Sequence, residues 1–342
     1  MKFSLTIAFF INVIGQLYSQ DVHFSQMANT PLLVNPGNTA LNNDLRAIIN
    51  YKQQWNSVGA PFQTSNVSFD IATTKDKRKN AFIGLGIDVF NDNSGDSKLN
   101  QTQGNLNLSS VIKMDAKNRF SIGLMGGFGQ RSIDFSNLRW ESQYDGSYDA
   151  SLSSNESFYN SSYAYFDAGA GLVWSYGEGQ SFIGANDGVI VNFGVSAFHF
   201  GLPQATFNKL LTEKTNSRIT VFGNLELGKE NHHLTYIPSF YVNVQGKLNE
   251  IVYGSNFRYL LKEGAHFTGF TKSSAVFIGV HHRWNDAVII GAGVDYANYS
   301  ICFSYDLNVS KLTQASNFRG GFELCLKFVT PNPFTKVYRS RI

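Results

Sequence analysis

This sequence is short of charge. Lys, Arg, Asp and Glu make up 15% of its 342 residues, 28 basic against 25 acidic, where a soluble domain carries about 25% charged residues. A net charge of +3 gives no strong basic field, which disfavours a nucleic-acid binder. Ala, Glu, Lys and Leu do not dominate, as a coiled coil or helical repeat would require. Long apolar runs are missing as well. After Ile14 no stretch of 18 apolar residues occurs, so membrane-spanning helices are excluded. Cysteine is down to two residues, neither of them near residue 20, so a lipoprotein anchor is not indicated. What is plentiful is apolar and aromatic material, 43% and 14% of the chain, with 31 glycines. That aromatic content excludes a disordered chain. The mean hydropathy of −0.16 shows these residues finely mixed with uncharged polar ones. The length permits one large β domain or two ordinary ones.

The first residues read as an export signal. Lys2 supplies a positive start, Phe3 to Ile14 an apolar stretch interrupted by Asn12, and Gly15 to Ser19 a small, polar exit. The stretch is shorter than the roughly 20 residues that span a bilayer and fits a secretory signal peptide over 1–19. Leu17 is larger than the residue usual at its place before a cleavage site.

The body alternates with period two. In 299–310, Ile301, Phe303, Tyr305, Leu307 and Val309 fall on one face, and Cys302, Ser304, Asp306 and Asn308 on the other. Successive strand side chains point to opposite faces, so the segment has an apolar and a polar side. The same holds at 218–227, 234–245 and 322–328, with Pro238 a blemish tolerable at a bulge or strand end. About fourteen such segments are predicted, near 45–54, 62–73, 80–90, 99–112, 119–131, 161–176, 188–199, 215–228, 232–245, 249–260, 274–284, 286–296, 299–310 and 318–329. No internal domain boundary and no propeller-type repeat interrupts them.

A sandwich and a lipid-embedded barrel both fit alternating strands. The segments are close to the 9–11 or so residues of a transmembrane strand and longer than the usual strand. Their number is even, as in single-chain bacterial outer-membrane barrels. If the first strand runs outward, the short charged links 74–79 and 115–118 face the periplasm, and the long links 132–160 and 200–214 face outward, the expected asymmetry. Links 246–248 and 261–273 depart from it. The expected architecture is therefore all-β: a signal peptide (1–19), an N-terminal periplasmic or plug segment (20–44) favoured near the periplasmic mouth, a transmembrane antiparallel β-barrel of about 14 strands (45–329) and a periplasmic tail (330–342). An apolar face toward lipid explains the shortage of charge, since Lys or Arg facing the bilayer midplane costs about 2–4 kcal/mol. Phe82, Phe90, Tyr299 and Phe328 are expected in the interfacial girdles, and Arg218, Glu226, Asp306, Glu323 and Lys327 on the lumen face.

An ordered set of short motifs resembles a known family. Asp21-Val-His-Phe-Ser-Gln26 and Pro31-Leu-Leu-Val-Asn35-Pro36 resemble the start of mature PorP/SprF proteins. Asn50-Tyr-Lys-Gln-Gln-Trp55, Pro61-Phe62, Ser68-Phe69-Asp70 and Asn93-Ser-Gly-Asp96 continue the likeness. So do Gln130-Arg-Ser-Ile-Asp-Phe135 with Trp140, Tyr305-Asp-Leu-Asn-Val-Ser310 with Ser316, and Arg319-Gly-Gly-Phe-Glu323. The resemblance runs from residue 21 to about 328 and departs at the tail ending Tyr338-Arg-Ser-Arg-Ile342. It implies an outer-membrane barrel of the type IX secretion and gliding-motility apparatus of Bacteroidetes-type bacteria. Such a protein is an accessory without enzymatic activity or cofactor, working with periplasmic-ring and peptidoglycan-linked subunits and with secreted adhesin-type cargo. A diffusion pore for small solutes is the alternative, and a barrel hydrolase a remote third.

Chemical motifs are sparse. Gly194-Val-Ser196 only partly echoes a nucleophile elbow, and no CxxC, HExxH or P-loop pattern occurs. The adjacent pairs His232-His233 and His281-His282 face opposite ways on a strand and cannot share a metal. Gly84, Gly86, Gly126, Gly127 and Gly129 lie within strands, where glycine marks curvature or close packing. In a hairpin of 299–310 with 318–329, Cys302 and Cys325 oppose each other on the lumen face, within reach of a disulfide in an exported compartment. Candidate partner-binding residues are Trp140, Tyr144, Tyr148, Phe158 and Tyr159 of the long segment 132–160, whose aromatic and adaptable polar composition suits a binding loop, together with Phe24, Gln26, Asn35 and Pro36.

Overall fold

The computed structural model describes residues 21–57, 59–73, 80–95, 97–134, 138–149, 151–153, 161–177, 188–203, 206–207, 214–228, 232–263, 272–311 and 313–330. The expected signal peptide lies outside them, as do Phe158, Tyr159 and the expected tail beyond Thr330. The alternating segments become fourteen strands: β1 (Leu45–Gln54), β2 (Phe62–Ala72), β3 (Ala81–Ser94), β4 (Leu99–Lys113), β5 (Asn118–Ser132), β6 (Ser162–Tyr176), β7 (Val189–Phe198), β8 (Arg218–Leu227), β9 (Leu234–Gln245), β10 (Leu248–Lys262), β11 (Ser274–Arg283), β12 (Ala287–Tyr296), β13 (Tyr299–Asn308) and β14 (Arg319–Thr330). Each pairs antiparallel with its chain neighbour, and β1 pairs with β14 to close the barrel. Closure leaves no sheet edge along the fully paired ladders, which a bilayer requires.

The outward face is an apolar band. Leu106, Phe166 and Ile278 are 68%, 79% and 65% exposed, the state suited to lipid contact. Aromatic pairs gather near strand ends, as with Tyr299–Phe328 at 4.9 Å and Tyr236–Phe257 at 5.2 Å between ring centroids. Phe82 and Phe90 do not join these girdles. Both are buried and point inward, because their register puts them on the lumen side of β3.

The lumen side is not uniformly polar. Phe82, Val111, Val173, Phe222, Tyr241, Val252 and Ile289 are buried there in one cluster with Met27, Val34, Ala40 and Leu41 of the N-terminal segment. That segment has no period-two pattern. It folds as three short turns, Met27–Asn29, Pro31–Val34 and Pro36–Asn38. Pro31 and Pro36 open the last two, where a missing N–H is harmless. The rim that carries residues 45 and 330 also carries links 73–80 and 114–117. The opposite rim carries links 133–161 and 199–217, and by the usual asymmetry it faces outward.

Candidate functional site

Several inward-facing charges converge on the N-terminal segment, while Arg258 and Asp295 pair with each other at 2.8 Å. The segment's upper part is held near the outer ends of the closing strands. Glu323 accepts the backbone N–H groups of Ser25 at 2.7 Å and Gln26 at 3.0 Å. The Ser25 hydroxyl donates to Asp306 at 2.7 Å and accepts from Arg283 at 2.8 Å. Arg283 also contacts Glu250 at 3.3 Å and Asp306 at 3.1 Å. Lys52 donates to the His23 carbonyl at 3.1 Å, and Asn50 to the Asn29 carbonyl at 3.0 Å. Burial, only partly opposed by Glu250, pushes His23 down to about 4.

A second clasp holds the beginning of the segment where β7 ends. His199 lies between two carboxylates, 2.5 Å from Asp21 and 2.9 Å from Asp167. Arg218 contacts Asp21 at 3.2 Å, and Gln245 accepts the Asp21 N–H at 2.9 Å. Burial opposes charge on His199, but the two carboxylates outweigh it and raise its pKa to about 9. Burial likewise opposes charge on Asp21, and Arg218 with His199 holds it well below the usual carboxylate range.

The lower part is seated in the β3–β7 wall. The Asn35 amide donates to Leu172 O at 3.1 Å on β6 and to Val195 O at 3.0 Å on β7, while its oxygen accepts the Gly37 N–H at 2.7 Å. A side chain at Gly123 would strike the backbone of Pro36 and Gly37, and one at Gly171 would strike Asn35. These inward glycines form the seat of the turn. Near the other rim, Arg46 makes a paired contact with Asp70 at 2.8 and 3.0 Å, and Asp70 accepts the Ala40 N–H at 2.7 Å.

The segment thus lies within the barrel, from the outer rim at Asp21 down to residue 44, deeper than the position at the periplasmic mouth favoured by the sequence. The carboxylates of Glu323, Asp306 and Asp70 satisfy backbone or hydroxyl donors that a rim position would leave to water. Phe24 is 2% and Asn35 0% exposed, Pro36 is buried, and Gln26 is half-buried. As folded, they are occupied by contacts within the chain. Asn50, Lys52, Asp70, Asp306 and Glu323, all within the motifs quoted above, reach the segment. No local spacing announced that convergence.

The outer link holds a second feature. Gln143 is buried, accepts from Trp140 N at 3.3 Å and Tyr148 OH at 3.4 Å, and donates to Leu152 O at 3.0 Å. Around this hub Tyr144 and Tyr148 form a bridge and stand 66% and 37% exposed, and Arg139 lies over the Tyr148 ring. Trp140, Tyr144 and Tyr148 are therefore brought together. Three polar side chains singled out by the sequence are engaged elsewhere. The Ser196 hydroxyl donates to Val34 O at 2.6 Å, His281 faces Ser239 inside, and His282 faces Tyr253 outside. Among the described residues no group of three or more His, Cys, Asp or Glu is arranged to hold a metal ion. Two cavities of about 220 and 140 Å³ remain beside the segment, sharing Asn224, Glu226, Tyr241 and Lys327 in their walls.

Comparison with known proteins gives one family and a set of distant folds. Residues 16–328 match the profile described as "Type IX secretion system membrane protein PorP/SprF". No curated protein sequence matches. Among solved structures, a Pseudomonas aeruginosa FadL homologue is similar at 9% identity and a TM-score of 0.47, over 88% of this chain and 94% of that one. Haemophilus ducreyi BamA lacking POTRA domains 1–3 is similar at 10% and 0.42, over 84% of this chain and 70% of its own. CdiB from Escherichia coli is similar at 10% and 0.45, over 83% of this chain and 63% of its own.

Proposed function

The chain belongs to the PorP/SprF family, outer-membrane components of the type IX secretion system, and from that membership we propose that it is a non-enzymatic part of the machinery that helps export or display cargo proteins such as adhesins. The observation that carries this reading is the segment seated inside the lumen. Inward-facing Glu323, Asp306 and Asp70 are committed to residues 21–44, which leaves the rims and outer links as surfaces for partners. Tyr144 and Tyr148, displayed on a hydrogen-bonded hub, supply the aromatic, low-entropy contacts typical of binding loops. Cargo engages the outer link, and the ring and peptidoglycan-linked subunits engage the periplasmic rim.

The test is affinity capture of the full-length protein from solubilised envelopes, beside a variant with Trp140, Tyr144 and Tyr148 changed to Ala. The intact protein is expected to recover secretion-machine subunits and an exported adhesin-type protein, and the variant to lose the adhesin selectively. Recovery of neither from the intact protein refutes the reading. The two cavities favour a second reading, a diffusion path for small solutes along the β8–β14 side of the lumen. Steady conductance by the unaltered barrel in planar bilayers would support it.

A further inference from the structure

Cys302 on β13 and Cys325 on β14 take no part in the contacts described so far. They are direct partners in the ladder, both point into the lumen, and both are buried and free in the structure. The bond from Val329 N–H to Asn298 O, 2.9 Å long, marks 298/329 as a hydrogen-bonded pair. Pair type repeats every second residue along an antiparallel ladder, so 302/325 is a hydrogen-bonded pair too. Its Cα atoms are then about 5.5 Å apart, inside the range of about 4.4–6.8 Å found in disulfides. Their side chains leave the sheet on the same face. The chain has no other cysteine, and burial keeps both thiols from a second molecule.

We propose that Cys302 and Cys325 are joined by a disulfide that braces the last two strands of the barrel. One thiolate attacks the disulfide of a dithiol–disulfide oxidant in the exporting compartment. The second thiolate then resolves the mixed disulfide. One intramolecular S–S bond forms, the oxidant's S–S bond breaks, and the two protons given up by the thiols end on the oxidant, which leaves as its dithiol. Cys325 is 0% and Cys302 2% exposed, and Met27 and Asn29 of the segment line the same cavity as Cys302. A protein oxidant therefore acts before the segment is seated, and seating shields the bond from reductants afterwards. Cys325 also pairs with Asn50 of β1, whose amide holds Asn29 O, so the brace lies at the closing seam behind the segment.

The test uses the unaltered protein, isolated from membranes with N-ethylmaleimide present from lysis, then denatured and weighed intact. The expected result is no maleimide adduct, two alkylatable thiols after reduction, and a linked peptide pair containing Cys302 and Cys325 that reductant separates. Two adducts on the unreduced protein overturn the proposal, and so does a mixed disulfide on either residue. Reduction is further expected to lower the temperature at which the folded band is lost on a gel. An unchanged temperature overturns the bracing role.

Discussion

Asn35 places all of its side-chain hydrogen-bonding groups on the barrel and its own turn, so shortening it has a calculable effect. Asn35→Ala leaves the buried Gly37 N–H without its acceptor, at about 1–3 kcal/mol, and removes the additional bonds to the ladder carbonyls Leu172 O and Val195 O. A lowered denaturant midpoint of the folded barrel in detergent is the expected outcome. Glu323→Ala similarly strips the Ser25 and Gln26 N–H groups of their acceptor and leaves Lys52 facing one carboxylate fewer. Faster proteolysis within residues 21–30 is expected. His199 supplies the pH dependence. Its folded pKa of about 9 lies above the free value of 6.5. Its stabilisation is therefore complete below about 6.5 and is lost as pH rises through about 9. The clasp on Asp21 should loosen between pH 7 and 10, seen as a high midpoint of the His199 ring resonance. A midpoint near 6.5 contradicts this.

At the scale of elements, the strands were legible and the segment was not. Expected and observed strand limits agree within a few residues, because lipid on one side enforces strict alternation: Ile301 and Phe303 are exposed while Cys302 and Ser304 are buried. Residues 21–44 follow no period. Phe24, Leu32 and Leu41 find their places through contacts distant in sequence, so no local rule reveals them. A signal was nevertheless present. Phe82, Phe90 and Phe222 interrupt the polar side of their strands, and Gly84, Gly123 and Gly171 leave hollows on it, as a face covered by further chain would need. Gly123→Leu tests this directly. A side chain there meets the Pro36–Gly37 backbone, so the segment should be displaced while the barrel keeps its heat-modifiable mobility and gains conductance. Wild-type conductance would show that the seat is not required. The aromatic and polar composition of the outer link was legible, but the hub role of Gln143 depends on a fold that this composition does not encode.

For the whole molecule, the shortage of charge divides between two surfaces. The lipid face excludes charge, and the lumen gathers much of what remains into ion pairs around one segment. Deleting residues 21–44 should convert a barrel of low conductance into one with steady single-channel currents. An equally quiet deletion barrel would mean that the outer links close it. The contacts that hold this segment also bear on how the molecule comes into being. Glu323 and Asp306 find their partners at Ser25, 298 and 281 positions earlier in the chain, while Asn50 and Lys52 of the first strand grip Asn29 and His23. First and last strands thus meet over the same few residues. Until the final hairpin arrives, those carboxylates and backbone donors lack each other, and a cylinder closed empty would enclose them unmatched. Seating the segment and joining the first strand to the last therefore draw on the same contacts, and those contacts are complete only once the last strand is in place.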